Sequence, residues 1–262
     1  MCDIFEHKKI SVIIPVKNNI SGLRATIASL ENINLPLDIV VIDGGSSDGT
    51  LAYIKSIEHK LGHWESEQDK GISDALNKGL EKVTGDYVAC LNADDLWLQN
   101  TGEILYRYII KHPEVEMFYG SIQYFDPDTN NSYIKHPSIA SMRIRMSLFH
   151  PALLIKRSLY ERVGHYSSAY EFAMDSDWCH RAIKLGGNMK QIHEPLATFQ
   201  LGGVSDANFI LALWEYRKSL LTNYGANKVT TFIVFVFLVV MKSILRFKRL
   251  RSVKQILSKS LR

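Results

Sequence analysis

Gly85-Asp-Tyr-Val-Ala-Cys-Leu-Asn-Ala-Asp-Asp95 is the stretch on which the fold turns. Tyr87 to Leu91 is a short apolar run, the pattern of a central strand buried on both faces. It stops at Asn92, Asp94 and Asp95, with no Gly or Pro to explain the stop as a tight turn. Carboxylates at the C-terminal end of a buried strand stand where α/β sheets place their ligands. Two close acids repel unless a cation or a proton separates them. Oxygen-only ligands suit Mg²⁺ or Mn²⁺, usually shared with a substrate phosphate. The competing reading is a solvated loop in which Asp95 caps the helix after it. The rest of the chain has to decide.

Similar strands flank that stretch. Lys9-Ile-Ser-Val-Ile-Ile-Pro-Val16 is apolar almost throughout and leaves through Lys17, Asn18 and Asn19. Ile20, Leu23, Ile27 and Leu30 have helical spacing. Asp38-Ile-Val-Val-Ile-Asp43 is a second buried strand and empties into Gly44-Gly-Ser-Ser-Asp-Gly-Thr50. Leu51–Ile57 is helical, 63–67 is a short strand, and Gly71–Val83 is a helix with Ile72, Ala75, Leu76 and Leu80 on one face. Strand and helix alternating over short connections imply an α/β fold: a mostly parallel central sheet flanked by helices. The loops at the carboxyl ends of the four strands hold residues 17–19, 43–48, 67–70 and 92–95, and all four are polar.

The second half is less regular. Strands are expected at 116–125 and 132–136 around a polar turn, and at 150–155. Helices follow at 158–163, ending at Gly164, and at 173–185, ending at Gly186-Gly187; a last strand runs over 194–201. Residues 8–205 read as one domain and 206–262 as a helical tail.

The apolar share of 46% and charged share of 22% in 262 residues exclude wholesale disorder. Three cysteines without metal-ligand spacing fit a reducing, cytosolic compartment. The N-terminal residues have no apolar signal-peptide core, so a secreted protein is not expected. The net charge of +4 divides unevenly: residues 242–262 carry +8 and the rest −4. A mildly acidic body does not suit a nucleic-acid binder, whose basic patch lies on the fold itself.

Five motifs now stand in order: Val12-Ile-Ile-Pro-Val-Lys-Asn-Asn19, Val41-Ile-Asp-Gly-Gly-Ser-Ser-Asp-Gly-Thr50, residues 66–79, Asn92-Ala-Asp-Asp95, and Met174-Asp-Ser-Asp-Trp178 with Arg181. Together they resemble the family-2 glycosyltransferases and their GT-A nucleotide-diphospho-sugar transferase fold, over roughly residues 9–205. The chain looks most like bacterial members that build exopolysaccharide or O-antigen repeat units on a lipid carrier.

The resemblance implies a nucleotide-sugar donor, a Mg²⁺ or Mn²⁺ ion and a lipid-linked or growing saccharide acceptor. Asp94 matches the metal-binding acid, with Asn92 where the family's motif has its first Asp. Asp43 would hold the nucleoside; the second acid that often follows it is Gly44 here. Pro15, Asn18, Ser46, Asp69, Lys70, Asn77 and Lys78 fall on the donor side. Asp95 either binds water on the metal or caps the next helix. Asp175 matches the catalytic base, which removes the acceptor hydroxyl proton as the oxygen attacks the anomeric carbon. Asp175 and Asp177 also read as acids balancing a helix dipole. His150 and Asp177 are acceptor-side candidates, Gly202-Gly203-Val-Ser205 also matches the subfamily, and Trp178 and His193 read as core.

Residues 209–224 form a plausible amphipathic helix. Val229–Met241 is thirteen residues without a charge, short of the ~20 that span a bilayer. A buried core helix is one reading. The other is an apolar plug followed by an interfacial helix, because Lys and Arg interleave with apolar residues beyond it. A +8 tail favours an anionic membrane surface, so monotopic attachment at the inner face of a bacterial plasma membrane is expected. The chain lacks the Gln-x-x-Arg-Trp motif of processive synthases, which favours single addition. Two rivals stay open: a nucleotidyltransferase of related fold, and a non-catalytic membrane-attached scaffold.

Overall fold

The computed structural model describes residues 8–260 except 34, 127–130 and 201–206; the side chains of 126, 200 and 246–260 also fall outside the description. The first half runs β1 (Ile10–Val16), α1 (Ile20–Glu31), β2 (Leu37–Asp43), α2 (Thr50–Ser56), β3 (His63–Ser66), α3 (Ile72–Lys82) and β4 (Tyr87–Cys90). Then follow β5 (Leu96–Trp97), α4 (Thr101–Lys111), β6 (Met117–Asp126), β7 (Asn131–Lys135), β8 (Leu153–Lys156), α5 (Arg157–Val163), α6 (Met174–Lys184) and β9 (Met189–Gln200). Two helices close the chain, α7 (Phe209–Tyr224) and α8 (Lys228–Ser260).

The sheet order is β3-β2-β1-β4-β8-β6-β9-β5, with β7 pairing beside β6. β3, β2, β1 and β4 run parallel, as the strand–helix alternation requires. The expected mostly parallel sheet ends there. β8 is antiparallel to both β4 and β6, β9 is parallel to β6, and β5 returns antiparallel along β9. β6 and β7 are joined by too few residues for a crossover helix, so they too pair antiparallel. The sheet is mixed.

Both faces of the parallel half are covered, which is why its strands are apolar at consecutive positions. Val12 and Ile14 of β1 pack with Ala89 of β4 against Leu23 and Ile27 of α1. Ile13, Val88 and Cys90 point the other way, against Leu76 of α3 and Trp178 of α6. The β1–β4 ladder ends at Ile13–Cys90, whereas β1 continues beside β2 as far as Val16–Asp43. Pro15 sits in that overhang. Its missing N–H faces the side that β4 has already left, the position where a strand tolerates proline. β1 and β4 thus part into a crevice bordered by residues 17–19 and 92–95.

Helix α7 belongs to the packed body, since Tyr216, Ser219, Leu220 and Asn223 are buried on its inner side. Helix α8 stands apart. It is one continuous helix of 33 residues, not a short plug followed by a separate interfacial helix. Residues 228–245 are 18 residues long and apolar enough to cross a membrane by length and composition. The core-helix reading does not hold, because only 6% of that window is buried. Trp214 of α7 meets Phe235 of α8 edge-on, and beyond such contacts the apolar face lies open.

Candidate active site

The acid loop leaves β4 as a tight turn in which the Asn92 carbonyl accepts from the backbone N–H groups of Asp94 (2.8 Å) and Asp95 (3.0 Å). Asp95 turns inward. Its carboxylate accepts from the Asn92 N–H (3.0 Å) and Nδ2 (3.1 Å), and it does not cap the next helix, α4, whose cap position is Asn100. Burial drives its pKa up to about 7; the Asn92 hydrogen bonds oppose this and the Asp94 charge adds to it. Asp94 is left at the surface of the crevice, and partial loss of water raises its pKa as well.

Side chains of α1 and its cap hold this loop by the loop's own carbonyls and bind neither carboxylate. Asn19 caps α1 through the Gly22 N–H (2.9 Å) and donates its Nδ2 to the Ala93 carbonyl. Thr26 Oγ1 donates to the carbonyls of Asp95 (2.9 Å) and Asn92 (3.3 Å). Gly22 makes the close approach possible, since a Cβ there would stand 2.0 Å from the Ala93 oxygen.

A divalent cation fits these residues in one respect that the fold itself supplies. Asn92 Oδ1 is a buried oxygen with no hydrogen-bond partner among the described residues, beside the open Asp94 carboxylate. Among the described residues, no three His, Cys, Asp or Glu side chains gather at one point. An ion held here would complete its shell with water and substrate phosphate oxygens, which is how Mg²⁺ is commonly bound.

The donor-side candidates are drawn together at the ends of β1, β2 and β3, but mostly by binding one another. Asp43 is fully buried. It accepts from the Ser46 N–H (3.2 Å), Ser46 Oγ and Ser66 Oγ (2.5 Å), so its carboxylate is engaged by the loops around it. Asn18 takes a left-handed backbone (φ 50°) and links two loops: its N–H donates to Ser46 Oγ (2.7 Å) and its Oδ1 accepts from the Ser47 N–H (2.8 Å). Asp69 pairs with Lys17 (3.6 Å). Gly44 leaves room for it, since a Cβ at 44 would lie 2.1 Å from Asp69 Oδ2.

Three other expectations change. Lys78 is held by Glu67 (2.5 Å) and Asp74 (3.3 Å) rather than pointing free. Asn77 uses both ends of its amide on the Tyr166 backbone, accepting from its N–H (2.8 Å) and donating to its carbonyl (2.9 Å). It positions that segment, and one of its two amide N–H donors is taken up in doing so. Pro15 is buried inside β1. Lys70 is exposed, its backbone N–H bound to Asp74 (3.1 Å).

On the acceptor side, Asp175 lies half-buried in the first turn of α6, with Oδ1 accepting from the Ser176 N–H (2.6 Å) and Oγ (3.2 Å). His150 is buried in the short 3₁₀ turn before β8, and its Nε2 shares a hydrogen bond with Tyr166 Oη (3.2 Å). Burial lowers its pKa and the nearby Asp175 charge partly restores it. Trp97 of β5 donates its indole N–H to the Pro151 carbonyl (3.0 Å). That bond ties the strand leaving the acid loop to the segment beside Asp175.

Asp177 does not face an acceptor. It is buried under α7, bound to Arg181 (2.9 Å), Asn223 (2.9 Å) and Ser219 (3.2 Å), and pins α6 to α7. Trp178 is core, with its N–H on the Gly164 carbonyl (2.9 Å); His193 is exposed on β9. Gly202, Gly203, Val204 and Ser205 lie outside the described residues.

Sequence reasoning passed over Glu215 of α7, whose carboxylate accepts from the N–H groups of Glu171 (3.0 Å), Phe172 (2.8 Å) and Ala173 (3.0 Å). It holds the turn that leads into α6 from another helix, 40 residues downstream of Asp175. Charge-assisted bonds of this kind contribute about 1.5–3 kcal/mol. Glu215→Ala is therefore expected to lower unfolding free energy by about 1–3 kcal/mol in a urea titration. A change within the ~0.5 kcal/mol of an ordinary surface substitution contradicts this.

Comparison with known proteins agrees with the geometry. The profile of Glycosyl transferase family 2 matches residues 11–178, more than half of the chain. A PGL/p-HBAD biosynthesis glycosyltransferase of Mycobacterium bovis BCG is 26% identical over 203 residues, covering 75% of this chain and 78% of that protein. An uncharacterized glycosyltransferase of Rickettsia typhi is 24% identical over 227 residues, 82% of this chain and 71% of that one. In structure, S. aureus TarS (residues 1–349) superposes with a TM-score of 0.63 at 16% identity, over 87% of this chain and 69% of that one. Mannosyltransferase PcManGT from Pyrobaculum calidifontis, solved with GDP-Man and Mn²⁺, gives 0.66 at 20% identity, over 86% and 67%. The chain belongs to glycosyl transferase family 2, a family of glycosyltransferases, and is built on the GT-A fold.

Proposed function

We propose that the protein is an inverting, metal-assisted glycosyltransferase that moves one sugar from a nucleotide sugar to a lipid-linked or growing saccharide acceptor. The observation that carries this is the division of labour among its acids. Asp43, Asp95 and Asp177 are buried and bound internally, whereas Asp94 and Asp175 keep carboxylate oxygens open on the two sides joined by the Trp97–Pro151 bond.

Asp94 and Asn92 Oδ1 would hold the cation, which supplies charge stabilisation to the departing diphosphate. The loops stitched by Asn18, Asp43 and Ser46 present backbone and Lys17 to the nucleoside side. Asp175 takes the proton of the acceptor hydroxyl as its oxygen bonds to the anomeric carbon. The bond from that carbon to the phosphate oxygen breaks with its electron pair, and the nucleoside diphosphate leaves from the opposite face. Fold neighbours support the donor class: TarS has been solved with UDP-GlcNAc and PcManGT with GDP-Man and Mn²⁺. The open apolar face of α8 and the +8 tail support attachment to an anionic membrane on the cytoplasmic side, where a lipid-linked acceptor would be met.

Calorimetric titration of UDP and GDP tests the donor half. One of them is expected to bind about tenfold or more tightly in Mn²⁺ than in EDTA, a gap of about 1.4 kcal/mol or more, and Asp94→Ala is expected to close that gap. Equal affinity in Mn²⁺ and EDTA, or a gap that survives the substitution, contradicts the assignment of Asp94.

A further inference from the structure

Lys135, at the end of β7, is placed as few surface lysines are. It pairs in register with Ile122 of β6, and its Nζ stands 5.4 Å from the ring centres of both Tyr124 and Phe149. Tyr124 in turn stacks on Phe199 of β9 (6.0 Å). The ammonium is half-buried, and loss of water lowers its pKa, with the charges of Arg145 and Lys242 lowering it further. Two ring faces attract a cation by about 0.5–2 kcal/mol each, yet they do not neutralise it. Among the described residues, no carboxylate forms an ion pair with Lys135 or Arg145. A desolvated cation facing other cations is costly unless an anion joins it.

The position says which anion. Phe149 directly precedes His150, the buried neighbour of Asp175. Phe199 follows Thr198, which pairs with Leu96 immediately after the acid loop. Lys242 lies on α8, one residue after the partly exposed Met241 of its apolar face. Lys135 therefore lies against the ring that precedes His150, one stacked ring from the strand beside the acid loop, and within electrostatic reach of Lys242 on α8. We propose that Lys135 and Arg145 receive the phosphate or diphosphate that joins the acceptor sugar to its lipid carrier. This rests on the lipid-linked acceptor reading above. The anion would be fixed at the apolar boundary while the sugar hydroxyl reaches towards Asp175.

The test uses the full chain in detergent micelles without nucleotide. The probe is a long-chain alkyl diphosphate, with the matching alkyl alcohol as its neutral counterpart. Wild type is expected to bind the diphosphate and not the alcohol. Lys135→Met, which keeps the stem and removes the charge, is expected to weaken diphosphate binding about tenfold or more, and Arg145→Gln to weaken it too. Lys135→Met should leave the melting temperature unchanged or raise it, since it removes an unpaired, desolvated charge. It should also leave Mn²⁺-dependent nucleoside diphosphate binding and adsorption to phosphatidylglycerol vesicles unchanged. No binding by wild type, wild-type affinity in Lys135→Met, or a lowered melting temperature overturns the proposal. Equal loss of nucleotide binding moves the site to the donor, and equal loss of vesicle adsorption moves it to bilayer headgroups; either overturns it. The donor reading is judged separately, by the nucleotide and Asp94→Ala titrations.

Discussion

Asp175→Asn is expected to lower the turnover of sugar transfer by about 10²–10⁴, the usual contribution of a general base, with donor affinity little changed. Asn keeps the size of the side chain and an Oδ1 that can still accept from the Ser176 N–H and Oγ, so the first turn of α6 is retained. What it loses is a second oxygen able to take a proton. In the structure Asp175 Oδ2 accepts no hydrogen bond among the described residues, so that oxygen is available to an acceptor hydroxyl. The effect belongs in kcat, because the donor is bound by other loops. Initial rates of nucleoside diphosphate release with saturating acceptor, together with calorimetric donor binding, measure both. A loss below about tenfold, or a loss of donor affinity that accounts for the rate, contradicts the assignment.

Gly22→Ala is expected to cost about 10²-fold in kcat/KM, although Gly22 touches no substrate. Helix propensity alone predicts the opposite, since Ala in a helix interior is favoured over Gly by about 1 kcal/mol. The contact decides the sign. The new Cβ would lie 2.0 Å from the Ala93 carbonyl and 2.4 Å from Asn19 Nδ2, the two groups whose hydrogen bond clamps the acid loop. Backbone cannot yield as a side-chain tip does, so the loop carrying Asn92 and Asp94 must move. A shift of about 1 Å in a catalytic group is enough for that loss. The same substitution should weaken Mn²⁺-dependent nucleotide binding while the protein stays folded by circular dichroism. Wild-type kinetics in a more stable protein contradict the clamp.

The parallel half of the fold was legible because its strands are covered on both faces and so carry unbroken apolar runs. In sequence β9 is legible only from Glu194 onward. Its first residues, Met189 to His193, bury Ile192 alone and give no strand pattern, yet they pair along β6. Helix α4 is poorly marked in the sequence as well. It begins at Asn100-Thr-Gly without a side-chain cap, and its Gly102 packs against Ile33. The length of α8 escaped for another reason. Thirteen uncharged residues read as a unit, whereas Lys242 and its successors continue the same helix.

The site was legible as a set of loops, not as a set of ligands. Polar residues at strand ends look alike in sequence whether they face a substrate or each other. Asp43 with Ser46 and Ser66, and Asn77 with Tyr166, satisfy one another across the fold. Asp177 does so through a helix 42 to 46 residues away. A signal for the clamp was present in Gly22 and Thr26, a glycine and a polar residue on the inner face of a regular helix. Such a glycine marks close backbone approach.

Family membership leaves donor, acceptor and chemistry to be measured together. The most direct measurement is a panel of nucleotide sugars with purified protein in Mn²⁺ or Mg²⁺ and a bacterial lipid extract. It scores nucleoside diphosphate release and transfer of labelled sugar to the lipid fraction. One donor class should be consumed, its sugar should enter the lipid fraction, and EDTA, Asp94→Ala and Asp175→Asn should each lower both by about a hundredfold or more. Folded protein that consumes no donor with or without extract, or release that persists undiminished in both variants, contradicts the account.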